Sequence, residues 1–185
     1  MTVPSTSDLA NKVPRPPDLW RAWEETTTYL AGLMHHEISL HLAWSTGGMD
    51  APWMAQLNWP EHLERVAGQP SAGVALTRLW QRIAAHHQLF PSEEDARRAP
   101  RDYDPEHWFR AQEEAILGRI LGLIQNDCDQ YQTLLITHST AASDLRLTTA
   151  RLICHTHNLT LTGQGESLLR ACQDLYPRIM RQMKR

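Results

Sequence analysis

The sequence predicts an all-α fold: a bundle of long helices followed by a C-terminal helical segment of helix-turn-helix type. Three observations predict it. Apolar residues recur at helical spacing in several separated stretches, no window sustains period-2 alternation, and the interruptions fall at prolines and glycines. The only strand candidate is the trio Leu159-Thr160-Leu161. The chain has 185 residues, room for one domain or one domain with a small appendage.

Residues 1–17 are polar and carry Pro4, Pro14, Pro16 and Pro17, which reads as an irregular arm. A helical N-terminal part spans 18–90. Asp18 is placed to cap its first helix, where Trp20, Trp23, Leu30, Leu33, Met34, Ile38 and Leu42 keep helical spacing to about Trp44. Gly47-Gly48 stops that helix. Two short segments follow in 50–69, with Trp53, Leu57, Trp59, Leu63 and Val66 as contacts. A second helix from about Ser71 to Leu89 turns Val74, Leu76, Leu79, Trp80 and Ile83 inward, and Pro91 ends it.

Residues 91–106, broken by Pro91, Pro100 and Pro105, form the linker to a C-terminal helical part, 107–185. Asp104 and Pro105 suit the start of a third helix, which carries Trp108, Leu117, Ile120, Leu121 and Ile124 and continues to about Ile136. Shorter helices are expected over 138–145 and 147–157, a turn at Gly163 and Gly165, and a last helix from Glu166 to about Met183 with a bend at Pro177. No internal repeat is visible at this level.

Charge is unevenly distributed. Beyond residue 145 stand Arg146, Arg151, Arg170, Arg178, Arg181, Lys184 and Arg185 against only Glu166 and Asp174, in a chain whose net charge is −3. A basic end on an otherwise acidic protein points to an anionic partner, most often nucleic acid. It also suits the dipole of a final helix. The segment Asn158 to Ala171 resembles the end of the DNA-binding domain of LysR- and MarR-type regulators, with Leu161, Thr162, Gly165, Leu168 and Leu169 filling the pattern of a short strand and a threonine-capped helix. The resemblance implies a helix-turn-helix over 138–157 whose second helix offers Arg146, Thr148, Thr149 and Arg151 to DNA, with Arg170, Arg178 and Arg181 as phosphate contacts.

The ten histidines supply no complete metal motif. Glu37 and His41 would share one face of a helix, but the Glu-x-x-His pair of a four-helix carboxylate site is missing, and Cys154-x-x-His157 is half a zinc site. No metal or other cofactor is expected. Arg151 and His157 have the arginine-to-histidine spacing of helical HEPN ribonucleases, as do Arg82 with His87 and Arg101 with His107. Cys128 between Asp127 and Asp129 would have a raised thiol pKa, which disfavours a nucleophile. Three widely spaced cysteines, no signal-peptide core at the start and no membrane-length apolar run fit a cytoplasmic location. All seven tryptophans precede residue 109; Trp44, Trp53 and Trp59 flank turns and are the candidates for a protein contact.

The expected function is therefore that of a DNA-binding regulatory or accessory protein acting through residues 138–185, with a protein partner or homodimer and no membrane. The alternatives are a non-catalytic helical subunit of a larger assembly and a HEPN-like ribonuclease.

Overall fold

A computed structural model describes residues 19–48, 51–60, 62–85, 110–126, 131–141 and 146–183. The expected arm 1–17, the linker 91–106, the caps Asp18 and Asp104 and the thiol of Cys128 lie outside the described residues.

The fold is not all-α and is not a helical bundle. Among the described residues, four helices accompany a six-stranded antiparallel sheet. In chain order these are α1 (Leu19–Met34), β1 (Ile38–Ser45), β2 (Trp53–Trp59), β3 (His62–Gln69), α2 (Ala72–Ala85), α3 (Ala111–Asn126), β4 (Gln132–Thr140), β5 (Arg146–Cys154), β6 (Leu159–Gly165) and α4 (Leu168–Gln182). A 3-10 turn at Thr46–Gly48 follows β1.

The first helix stops ten residues before the position that its apolar spacing suggested. Leu30, Ile38 and Leu42 fit a helix because residues four apart share a helical face. Four is also a multiple of two, so the same residues share a face of a strand. The chain leaves α1 at His35, which takes a left-handed conformation (φ 55°) beyond the helix end. From Ile38 it alternates: Ile38, Leu40, Leu42 and Trp44 are buried and Ser39, His41 and Ser45 are half-exposed, with Ala43 buried as the exception. The expected helix at 147–157 is likewise absent, and the described start of 138–145 is strand, not helix. β4 and β5 occupy this region, and their content of Thr, Leu and Ile suits a pleated surface.

The strand order is β3-β2-β1-β4-β5-β6. Each half of the chain is therefore a helix, a three-stranded meander and a second helix. The halves join through antiparallel β1 and β4, with Leu40 opposite His138 and His41 opposite Thr137. That mirrored order places an approximate two-fold axis between β1 and β4. The second helices also match in sequence: Ser71, Ala75, Leu79, Trp80, Arg82 and Ile83 recur as Ser167, Ala171, Leu175, Tyr176, Arg178 and Ile179 at constant spacing. Arg-Ala-x-Glu-Glu occurs at Arg21–Glu25 and again at Arg110–Glu114. Topology and these matches give the chain an approximate internal repeat, more visible in its helices than in its strands.

Both second helices begin alike. The Val74 amide donates to Ser71 Oγ at 3.2 Å and the Arg170 amide to Ser167 Oγ at 3.4 Å. The cap of α4 is thus Ser167, whereas Thr162 lies inside β6, contrary to the threonine-capped pattern expected there.

One core unites the halves. Trp20, Trp23 and Leu30 of α1, Leu76, Leu79 and Ile83 of α2, Leu117, Ile120 and Ile124 of α3, and Leu168, Leu175 and Ile179 of α4 pack on a single face of the sheet. That face presents Leu40, Leu42, Leu57, Val66, Ile136, Ala150 and Leu152. Trp23 and Trp80 meet edge to face, centroids 5.9 Å apart. Gly163 lets α4 approach closely, since a Cβ there would collide with the Ala171 carbonyl and the Leu175 amide.

Candidate partner-binding face

Because the described helices all lie on one side, the other face of the sheet is uncovered among the described residues. Strand register arranges it in transverse rows. The central row crosses all six strands as Arg65, Gln56, His41, Thr137, Thr149 and Gln164. On one side runs Leu63, Asn58, Ser39, Ser139 and Leu147, ending in exposed leucines at 58% and 42% accessibility. On the other side run Met54, Ala43, Leu135, Arg151 and Thr162.

A directional hydrogen-bond chain links three strands at the centre. Gln56 Nε2 donates to Asn58 Oδ1 at 2.8 Å, and Asn58 Nδ2 lies 2.9 Å from His41 Nε2. An amide N–H can only donate, so Nε2 is the acceptor and carries no proton. His41 Nδ1 must then hold the proton and donate to Thr137 Oγ1 at 3.0 Å. Ser39 Oγ lies 3.1 Å from the same Nε2. Burial, and then the Arg151 charge, lower the His41 pKa, consistent with this neutral imidazole. With its oxygen accepting from His41, the Thr137 hydroxyl keeps its own proton to donate. Arg151 stands diagonally across from it on β5, exposed and without an ion pair among the described residues.

A second cluster closes one end of the face. Tyr131 packs on His155 with centroids 4.8 Å apart. Ser45 Oγ donates to Tyr131 Oη at 3.1 Å, and Thr133 Oγ1 is 3.1 Å from His155 Nε2.

The expected recognition-helix residues do not share a surface. Thr148 is fully buried on the core side, its Oγ1 2.9 Å from His138 Nδ1, whereas Thr149 and Arg151 face the opposite side of the sheet. Alternation along a strand separates neighbours that a helix would have gathered. Arg146 is exposed at the start of β5. Arg170 is exposed on α4. Arg178 pairs with Asp174 at 3.1 Å within α4, and Arg181 Nε donates to the Pro177 carbonyl at 3.2 Å. Trp44 is buried in the core, and Trp53 and Trp59 pack half-buried against it.

No group of three or more His, Cys, Asp or Glu among the described residues is placed to hold a metal ion. Cys172 is buried, and burial followed by the nearby Glu113 charge pushes its thiol up to about 12, unsuited to nucleophilic attack. An apolar cleft between α3, α4 and the β5–β6 pair, lined by Leu123, Leu152, Leu159 and Met183, has a volume of about 50 Å³. Small-molecule pockets are roughly 300 Å³ or more.

Asn58, Gln56, Thr137 and Arg65 were missed by sequence reasoning, and His41 was considered only as a metal ligand on a helix, whereas it lies on β1. The signal was present in the alternation of Ile38-Ser39-Leu40-His41-Leu42, which aligns the polar residues on one face. No protein family, curated protein or solved structure matches the chain.

Proposed function

We propose that this protein is a non-catalytic binding module, a subunit of a larger assembly, that holds a protein partner against the open face of its sheet. The observation that carries the reading is the one-sided architecture. Four helices cover one face, and the other keeps an ordered polar seam between aliphatic side chains, with no carboxylate in its described rows. The hydrogen bonds hold these half-buried side chains in one arrangement, and a preorganised surface loses less freedom when a partner binds.

The sheet edges support face binding over strand addition. On β3, Arg82 donates to the Arg65 carbonyl at 2.7 Å and Gln69 to the Ala67 carbonyl at 2.6 Å. On β6, the Gln164 amide donates to Asp174 at 3.2 Å. These side chains occupy backbone groups that an added strand would need.

No described helix is long and apolar enough to cross a membrane. A cytoplasmic location belongs to the same proposal, supported by the free thiols of Cys154 and Cys172.

The test is photo-cross-linking in the native host from a residue on each side. A cross-linker at Ser139 or Thr162 should give a discrete adduct with a second polypeptide, and one at Gln81 or Gln173 on the helices should not. Adducts from the helical positions alone, or from none of the four, would reject the reading.

A further inference from the structure

We infer that the segment held on this face is acidic: an extended peptide that seats a carboxylate between Thr137 and Arg151 at the seam of the two halves. The inference rests on the open-face reading and adds the partner's chemistry.

The first argument is polarity. The chain from Gln56 through Asn58 and His41 runs one way and ends on Thr137 Oγ1. Thr137 thus has a hydroxyl proton left to donate, and no side-chain acceptor for it is seen among the described residues. Arg151 is the diagonal neighbour of Thr137 across β4 and β5, roughly 7–8 Å away at the backbone, a gap that a guanidinium spans. A hydroxyl and a guanidinium on neighbouring strands are therefore within reach of one carboxylate, each as a donor.

The second argument is charge. Arg65 stands at the β3 end of the central row and Arg151 on β5 in the next row, and the rows named above hold no acidic residue to neutralise either. Charge complementarity thus calls for an anion with negative groups about 19 Å apart, four strand spacings.

The third argument separates a peptide from a nucleic acid. The polar row lies between Met54, Ala43 and Leu135 on one side and the exposed Leu63 and Leu147 on the other, surfaces that aliphatic side chains of a peptide would cover. Single-stranded nucleic acid needs aromatic platforms. The described tyrosine on this face, Tyr131, is half-exposed but stands beside His155 at the end of the face, not in the rows that carry Arg65 and Arg151.

The experiment uses the full chain and a fluorescein-labelled peptide of alternating Glu and Val, roughly ten residues long, enough to cross six strands. Fluorescence anisotropy is read at low salt beside a Lys-Val peptide and an oligothymidylate. The Glu-Val peptide should bind, the Lys-Val peptide should not, and the oligothymidylate should be weaker than Glu-Val. Arg151→Ala should weaken Glu-Val binding about tenfold, and Thr137→Val by several-fold, as for hydrogen bonds to a charged group. Arg178→Ala on the helix side should leave it unchanged. Circular dichroism melting confirms that each variant is folded. No binding of Glu-Val, tighter binding of oligothymidylate, or wild-type affinity in folded Arg151→Ala each overturns the inference. Cross-linking from Ser139 decides the open-face reading independently of any of these results.

Discussion

Lowering the pH should destabilise this protein through one buried imidazole. His138 is 1% exposed on the core face of β4, with Nδ1 2.9 Å from Thr148 Oγ1 and Nε2 3.2 Å from Thr140 Oγ1. Glu24 Oε1 lies 4.0 Å from Nδ1, and alone it would favour the imidazolium. Burial outweighs it, reinforced by the Arg146 charge, and the His138 pKa falls from 6.5 to about 4. Unfolded, the imidazole titrates near 6.5, so between about 6.5 and 4 the unfolded chain binds a proton that the folded chain refuses. The stability contributed is complete above 6.5 and is lost as the pH falls toward 4. A gap of about 2.5 pH units corresponds to roughly 3 kcal/mol. Urea unfolding of the wild type and of His138→Gln, which keeps hydrogen-bonding groups without titrating, should give curves that converge as the pH drops from 7.5 to 4. Parallel curves across that range would mean that His138 is protonated in the fold or accessible to water, and would refute the burial argument.

The internal repeat predicts that Leu79→Ala and Leu175→Ala, fully buried at equivalent positions of α2 and α4, each cost about 2–5 kcal/mol in chemical denaturation, with similar values. Gly163→Ala should destabilise by roughly 1–3 kcal/mol, because α4 must move to admit the methyl group; a neutral result would show that the helix stands further off. Arg82→Ala and Asp174→Ala should expose backbone groups of β3 and β6 and produce concentration-dependent self-association in sedimentation velocity, while the wild type does not respond.

The helices were legible in the sequence and most of the sheet was not, for an identifiable reason. Leu76, Leu79 and Ile83, or Leu168, Leu175 and Ile179, recur at intervals that only a helix places together. The buried residues of β1 recur at two and four, and the four-residue interval continues the rhythm of α1 without a break. In β4 and β5 the core-facing positions include Gln132, His138, Thr140 and Thr148, all buried. Polar residues inside erase the alternation that marks a half-buried strand, so the segment reads as broken helix. The basic end is real as composition, but pleating sends Thr148 inward and Arg151 outward, and α4 engages Arg178 and Arg181 internally. What was legible of the candidate site was Arg151 and Thr149; the seam that gives them a context depends on pairing between strands about a hundred residues apart, which no local pattern carries.

The seam is where the two halves differ most consequentially. If the repeats were identical, the positions facing each other across the axis would carry one residue type and no hydrogen-bond chain could have a direction. His41 on one side and Thr137 on the other break that equivalence, and the relay runs from β2 to β4 only. His41→Thr would restore it, placing hydroxyls on both sides and leaving the half-buried Asn58 amide without its imidazole acceptor. The expected cost is about 1–2 kcal/mol for the lost hydrogen bonds. Its pH dependence separates this from a packing defect. The His41 pKa is lowered by burial and by Arg151, so its contribution is complete above the ordinary histidine range and lost on acidification. Stability in His41→Thr should accordingly fall less steeply than in the wild type between pH 7 and 5. A variant that loses stability equally at every pH would place the His41 imidazole outside the network, and the orientation of the Thr137 proton would lose its cause.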